Sequence, residues 1–393
     1  MHYFCKNACS LNNICDFNYV ERYTLNKGEG TMLPTFSSIG NENITWETTS
    51  NFNAGIEFGL FGNRLNGEFN YYNKKTTDLL FWLSIPESYG ARGYYGNVGD
   101  IRNSGVELML NADIIRTKDI RWNVTGNISH NVTKILKLDP SKTMNYGGFS
   151  ESNQTVNLRM WYQEGGPLYN AMLPEYAGVN EQGEALYWVD QAIKDDPKLS
   201  NSSKPGTQHS YTTTDWNSAS YYAQGSLLPK ANGGFSTTLE FYGFDVNATF
   251  DYQLGGKVYD NGYAQLMGNV VTKGNGNTYS KDILKAWSPN NMSSNIPRFQ
   301  YMDNYATSRS TRFLTSASYL NFQSCSVGYT LPMSLSKKLM ASRLRIYVQG
   351  QNLLFWSARK GLDPRYTFAG SSSTGITSYA PVRTIMGGIQ VTF

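Results

Sequence analysis

Strict alternation of apolar and polar residues is the main pattern along this chain. Over residues 52–60 the even positions are apolar, and the odd positions hold Asn, Gly or Glu. A short polar stretch at 62–64 follows, and the alternation resumes over 65–72. A period of two places alternate side chains on opposite faces of a β-strand, whereas a helix of period 3.6 cannot collect them on one face. The pattern predicts a β-hairpin with one apolar and one polar face.

The same unit recurs along the rest of the chain. With one further strand that ends near Tyr329 we count about nine strands, and residues 16–25 are a candidate for another. The further alternating segments are 106–114, 122–129, 235–241, 244–253, 344–351 and 385–393. The fold class predicted is all-β and antiparallel.

The composition of the polar faces favours a membrane barrel. Those faces carry mostly Asn, Gln, Thr and Gly, with isolated Asp or Glu, which suits a hydrated lumen, while the alternate apolar face suits lipid. The segments also have roughly the 9–11 residues that a tilted strand needs to cross a bilayer. We therefore expect a transmembrane β-barrel.

The connections alternate in length. Short turns follow Leu60, Ile114 and Phe241, and a modest one precedes Leu344. Outer-membrane barrels have short periplasmic turns and longer extracellular loops, so we expect the last strand to end on the periplasmic side at Phe393. The predicted extracellular loops are 83–103, 132–232, 257–315 and 357–383.

Composition adds few candidates for chemistry. Charged residues make up 16% of the chain and the net charge is +4, with the basic residues scattered, so we expect no nucleic-acid partner. His2, His130 and His209 lie on unrelated segments without a paired nucleophile. Cys5, Cys9 and Cys15 do not match a zinc-site spacing. We predict no enzymatic activity, no cofactor and no metal, and the role of these cysteines stays open.

The first residues do not look like an export signal. Residues 1–19 lack a basic segment, an apolar segment and a small-residue cleavage site. We expect the chain to be either a piece of a longer protein or the product of a truncated gene, with 1–38 as a divergent segment.

Several motifs, in the same order, resemble the SusC/RagA family of TonB-dependent outer-membrane transporters. The most specific is the run Asn-Val-Gly-Asp-Ile-Arg-Asn-Ser-Gly-Val-Glu-Leu at 97–108. Other segments that resemble the family are 39–47, 71–80, 177–183, 255–259, 319–320, 350–353, 361–364 and 388–393. The resemblance covers roughly 39–393.

This resemblance implies the C-terminal part of a plugged barrel of about 22 strands. It implies import of a glycan or peptide oligomer, a SusD-like surface lipoprotein as partner, and energy from the TonB complex through a plug region that we do not find in this sequence. Outer-membrane lipid would surround the strands. The ending resembles the signal read by the barrel-insertion machinery, with Ile389, Val391 and Phe393 as its residues.

Loop aromatics are the candidates for contact with substrate or a partner, because rings stack on sugar faces and pack against peptide side chains. The alternative is that they pack the loop against itself. The candidates, all within 132–232, are Trp161, Tyr162, Tyr187, Trp188 and Trp216.

Two other functions remain open at this point. One is a passive porin-like or non-functional barrel fragment, which the lack of a plug segment favours. The other is a secreted soluble carbohydrate-binding β-protein, which would not need the alternation of turns and loops or the terminal Phe393. The sequence does not identify the substrate, nor whether the chain folds alone.

Overall fold

A computed structural model describes residues 19–28, 31–84, 93–143, 146–153, 158–268, 279–300, 303, 305–367 and 381–393. Its largest element is one antiparallel sheet. The nine strands are β1 (Thr48–Leu60), β2 (Leu65–Ser84), β3 (Gly93–Arg116), β4 (Ile120–Leu138), β5 (Ala231–Phe241), β6 (Phe244–Leu254), β7 (Tyr319–Thr330), β8 (Arg343–Ser357) and β9 (Thr384–Thr392). Each pairs with the next along the chain, so the sheet is an up-and-down meander.

The register carries the sequence pattern across all nine strands. One row of directly paired residues is apolar apart from a threonine and runs Leu60, Leu65, Ala112, Val124, Thr237, Ala248, Cys325, Gly350 and Ile385. The adjacent row, on the opposite face, runs Gly59, Asn66, Asn111, Thr125, Ser236, Thr249, Ser324, Gln351 and Thr384. The predicted antiparallel, two-faced sheet is confirmed.

The side chains of the polar face form hydrogen bonds with one another, whereas those of the apolar face are exposed. On the polar face, Asn123 Nδ2 donates to Asn111 Oδ1 at 2.8 Å and to Asp113 Oδ1 at 2.9 Å, and the Thr125 hydroxyl donates to Asn111 Oδ1 at 3.0 Å. On the apolar face large side chains are exposed, with Ile56 at 65% and Ile389 at 67%. Such exposure is costly in water but suits lipid.

The loop predicted at 83–103 is mostly strand. The β2–β3 ladder continues to the pair Ser84 and Gly93, which leaves 85–92 as the connection. The alternation that guided the prediction breaks down here because the ladder shifts register between Thr76 and Leu80 and because Leu83 and Val98 are buried. Likewise β4 runs to Leu138, so the loop predicted from 132 begins at 139. The loop predicted at 357–383 falls between β8, which ends at Ser357, and β9, which begins at Thr384.

The strands β2, β3 and β4 contain 20, 24 and 19 residues. A tilted strand needs only about 9–11 residues to cross a bilayer. The apolar face ends near Tyr71, Val106 and Val132, and the three strands continue past it on the side of the long connections. This extension is longer than the sequence pattern indicated.

The long connections fold into small sheets of their own. Residues 139–230 contribute a four-stranded and a three-stranded sheet, and 255–318 contributes a two-stranded one. The bounds of these strands are Gly148–Asn153, Leu158–Gln163, Asn170–Pro174, Tyr176–Val179, Ala185–Val189, Tyr211–Thr213, Tyr221–Ser226, Lys257–Tyr259 and Leu314–Ser316. The buried apolar clusters of the described chain lie mainly here and not under the nine-stranded sheet.

The remaining elements are short. The α-helices of the described residues are Pro140–Thr143, Gln191–Lys194, Asn261–Leu266, Met333–Ser336 and Pro364–Thr367, with 3-10 helices at Trp216–Ser218, Lys281–Lys285, Thr311–Phe313 and Lys337–Leu339. None of the described helices is long and apolar enough to span a membrane. The strand suspected at 16–25 begins at Arg22 and forms the hairpin Arg22–Gly28 with Thr31–Ser38. The first three cysteines lie outside the described residues.

Candidate functional site

Two of the long connections are joined by hydrogen bonds into what we call the loop unit, the described residues of 139–230 and 255–318. The Tyr176 hydroxyl donates to the Asn295 carbonyl at 2.9 Å, and the Tyr176 amide donates to the Thr311 hydroxyl at 3.0 Å. The Trp216 indole donates to the Arg309 carbonyl at 2.7 Å. These bonds connect residues about one hundred positions apart, so the unit is a tertiary structure and not two separate loops.

Arg298 forms the densest of these links. Its guanidinium donates to Glu184 at 2.9 Å and to the Gln182 carbonyl at 2.9 Å, and its amide donates to the Gly183 carbonyl at 2.8 Å. Gly183 has a φ of 83°, and a Cβ there would lie 2.4 Å from the Trp287 ring. The turn around Gly183 therefore accepts only glycine, because both the backbone angle and the ring exclude a side chain.

The partly buried Arg312 packs against aromatic rings of the loop unit. The Arg312 guanidinium lies 4.9 Å from the Phe313 ring centroid and 5.7 Å from that of Tyr176, within the range of cation–π attraction. Burial raises the pKa of Tyr176 to about 12, with Arg312 opposing the rise. Burial also raises the pKa of Tyr187 and lowers that of Arg312. The tyrosines therefore stay neutral at ordinary pH, and the cation is held mainly by ring faces and the Ala306 carbonyl.

The connection 358–383 joins the loop unit through Arg359. Its guanidinium donates two hydrogen bonds to Asp260 Oδ2, one of 3.0 Å from Nε, and lies 4.1 Å from the Tyr263 ring centroid. Asp260 is 5% exposed, and its other oxygen accepts the Tyr263 amide at 2.9 Å, capping the helix Asn261–Leu266. This ion pair thus joins the connection 358–383 to the connection 255–318, which is part of the loop unit.

A cavity of about 500 Å³ lies at the long-connection end of β7 and β8. Its lining includes Asn321, Phe355, Asp363 and Arg365. Arg365 donates to Asp363 Oδ2 at 2.7 Å and lies 4.8 Å from the Phe355 ring centroid. Polar groups of both signs beside an aromatic ring suit a polar ligand with some apolar surface.

Two of the predicted contact residues are buried in the loop unit. Tyr187 is fully buried in a cluster with Ala185 and Ala219, and Trp161 is 3% exposed, with its indole donating to Gln163 at 2.7 Å. For these two side chains the packing alternative fits the structure better than direct contact, because a ligand cannot reach their ring faces.

The other three predicted residues are partly exposed. Trp188 stacks on His209 with 4.8 Å between ring centroids and 18° between planes, and His209 Nε2 lies 2.9 Å from Glu175 Oε2. Trp216 packs beside Tyr221, and Tyr162 lies 5.1 Å from Phe149. Tyr162 packs against the buried cluster that includes Leu158, whereas Trp216 packs against the cluster that includes Tyr187. Contact of the five residues with a ligand stays a prediction.

Sequence reasoning missed the residues that organise the site, above all Arg298, Arg312, Arg359 and Asp260. Arg359 and Asp260 are 99 positions apart along the chain, and Arg298 and Glu184 are 114 positions apart. No local pattern in the sequence predicts pairs of this kind. Among the described residues no group of three or more His, Cys, Asp or Glu could hold a metal ion.

Comparison with known proteins identifies the family to which this chain belongs. The family model described as TonB dependent receptor-like, beta-barrel matches residues 17–224, more than half of the chain. The chain belongs to this family. TonB-dependent receptor P3 of Formosa agariphila is 30% identical over 379 residues, covering 93% of this chain and 36% of that protein. TonB-dependent receptor SusC of Bacteroides thetaiotaomicron is 26% identical, covering 96% of this chain and 36% of SusC.

A solved structure agrees with this membership in the TonB-dependent receptor family. A chain of the RagAB peptide transporter superposes with a TM-score of 0.73 at 26% identity, covering 97% of this chain and 39% of that one. The resemblance to the SusC/RagA family is thereby confirmed. This TonB-dependent receptor chain spans somewhat over a third of the length of the relatives it matches. The family and its relatives indicate the outer membrane as the location.

Proposed function

We propose that this chain forms part of the barrel wall and the extracellular loops of a TonB-dependent importer of SusC/RagA type. The observation that carries the proposal is the pair of adjacent rows, one apolar and one polar, that continue across all nine strands. A wall with lipid on one side and water on the other needs this arrangement. A soluble sandwich also alternates apolar and polar rows, but it covers its apolar face with a second sheet, whereas here side chains of that face such as Ile56 and Ile389 are exposed.

The cargo we propose is a glycan or peptide oligomer, and the proposed partners are a SusD-like surface lipoprotein and the TonB complex. Support comes from the relatives, one named SusC and one described as a peptide transporter. Support also comes from the folded loop unit, because capture of an oligomer at the barrel mouth needs an ordered surface. Trp188, Trp216 and Tyr162 are the aromatic side chains that we propose for contact with cargo or partner.

The test is uptake by the source bacterium with and without the gene. We expect deletion to abolish uptake of one class of labelled oligomer, peptide or glycan, and a plasmid copy of the gene to restore it. A protonophore should stop the restored uptake, because TonB-dependent transport draws on inner-membrane energy.

Two results would contradict the proposal. Uptake that persists with the protonophore would identify a passive, porin-like barrel. Recovery of the protein in the detergent-free soluble fraction would identify a soluble β-protein. The lipoprotein partner is tested separately, by purifying the tagged protein from solubilised outer membranes and identifying what accompanies it.

A further inference from the structure

Three basic side chains lie directly opposite one another on adjacent strands. Lys75 on β2 pairs in register with Arg102 on β3, and Arg102 pairs with Lys134 on β4. Paired residues on one face of a sheet have Cβ atoms about 5 Å apart, and like charges at that spacing destabilise the sheet. We call these three residues the cation row.

The cation row lies on the same face as the apolar band. Along β2 it continues the positions of Phe69 and Tyr71, and along β3 those of Leu108 and Val106, with no register shift between. The opposite face at this level is covered by the loop unit. There Ile135 is 2% exposed, and its carbonyl accepts the Gly165 amide at 2.7 Å.

The backbone of the row lies just beyond the headgroup layer, and its side chains are long enough to reach it. Lys75 and Arg102 lie four residues beyond Tyr71 and Val106, and four residues on a strand tilted by about 40° rise about 10 Å along the membrane normal. The headgroup layer begins at the edge of the apolar core and is about 5–8 Å thick on each side. Long basic side chains reach back along apolar surface, which brings their charges into that layer.

The charge of the row is only partly balanced within the described residues. Asp100 Oδ2 lies 3.4 Å from the Lys75 ammonium, and Asp100 also accepts the Asp78 amide at 3.3 Å. Neither Arg102 nor Lys134 forms an ion pair in the part of the chain that the structure describes. Three cations and one carboxylate leave an excess of two positive charges at one spot.

A depression of about 410 Å³ adjoins the row. Its lining includes Lys75 and Arg102 together with Phe52, Asn73 and Leu136. Phe52 and Asn73 are directly paired one level nearer the apolar band than the cations, and Leu136 lies beyond the row on the side of the loops. A phosphorylated headgroup whose acyl chains run down the apolar face has this distribution of charge and apolar surface.

We infer that the outward face of β2, β3 and β4 binds a phosphate-bearing lipid headgroup of the outer leaflet through Lys75, Arg102 and Lys134. The anion removes the repulsion within the row, and the Arg102 guanidinium offers two parallel donors to one phosphate. The inference rests on the proposed placement of these strands across the membrane. It does not depend on the proposed cargo or on the energy source of transport.

The test compares the tagged protein, purified from outer membranes and placed in phosphatidylcholine nanodiscs, with its variants. The probe is phosphatidic acid, and diacylglycerol is the same lipid without the phosphate. Bound lipid is counted by native mass spectrometry. We expect the unchanged protein to retain phosphatidic acid and not diacylglycerol, and the triple variant Lys75→Gln, Arg102→Gln, Lys134→Gln to retain about tenfold less.

The matched control removes three lysines from the opposite rim, with Lys118→Gln, Lys337→Gln and Lys338→Gln. It should retain the lipid like the unchanged protein. Equal loss in both triple variants, or no loss in either, would overturn the inference. If inorganic phosphate displaces the lipid at millimolar concentration, the row is a site for soluble anions and the lipid assignment is wrong.

Folding and membrane placement are checked independently. Heat-modifiable migration on gels shows whether each variant is folded, and the single Arg102→Gln variant, with about threefold or greater loss expected, serves if the triple variant is not. Fractionation on a density gradient shows whether the unchanged protein is in the outer membrane. Absence of the protein from the outer-membrane fraction would contradict the proposed function. Correct location without retention of phosphatidic acid would contradict only the inference that the cation row binds a lipid headgroup.

Discussion

The ion pair between Arg359 and Asp260 should hold the connection 358–383 against the loop unit. Asp260 is 5% exposed and Arg359 30% exposed. Removing one partner of a fully buried pair costs about 3–5 kcal/mol because the other charge stays buried and unpaired. Arg359 is partly hydrated, and Asp260 keeps the Tyr263 amide as a donor. We therefore expect Arg359→Ala to lower the free energy of local opening by about 2–3 kcal/mol.

The assay is amide hydrogen exchange on the protein purified from outer membranes in detergent. The reporters are the amides of Tyr263 and Ala264, which donate to the Asp260 side chain and carbonyl. A loss of about 2–3 kcal/mol in local opening free energy speeds their exchange about 30- to 150-fold. Amides of β5 and β6 should be unchanged.

The control is Lys360→Ala, which removes the same charge from the next residue, whose side chain is exposed. It should leave exchange at Tyr263 within about twofold. Adding Asp260→Asn to the Arg359→Ala variant should recover part of the protection, because the unpaired charge is then gone. Unchanged exchange in Arg359→Ala, or equal effects of both single variants, would refute the reasoning.

Three further results are expected. Val348→Arg, on the apolar face, should reduce the amount of folded protein in outer-membrane fractions, because a charge on the lipid face costs about 2–4 kcal/mol near the midplane. Gln349→Arg, on the polar face, should not reduce it. Equal yields of the two variants would contradict the assignment of the faces. Burial by itself would raise the pKa of Asp190, but the amides of Thr207, Gln208 and Ala192 hold it below its ordinary value. The stability this carboxylate contributes is complete above about pH 4 and is lost as pH falls through the lower folded pKa, so exchange at the two amides of 207 and 208 should quicken below that pH and lose this dependence in Asp190→Asn. Phe393→Ala should lower the amount of assembled protein without changing its synthesis, as measured by pulse labelling; unaltered assembly would remove Phe393 from the insertion signal.

The sequence by itself determined the two-faced sheet and its order of strands. Alternation with a period of two is local and is written in the residue types, and short turns such as 242–243 join strands that must then be neighbours. Family motifs such as the run at 97–108 also lie in consecutive residues, so the sequence was enough to predict the family. The ends of β2, β3 and β4 could not be predicted, because beyond the apolar band the strands pair without an alternating pattern.

Only the tertiary structure decided what the long connections do. In sequence Tyr187 and Trp188 are two neighbouring loop aromatics, yet one is fully buried and the other stacks on His209. The pair of Arg359 and Asp260 joins residues 99 positions apart. Contacts of this kind depend on how the chain returns through space, and no local spacing encodes that. The cation row shows the same division, because three basic residues scattered in sequence become one site only through the register of three strands.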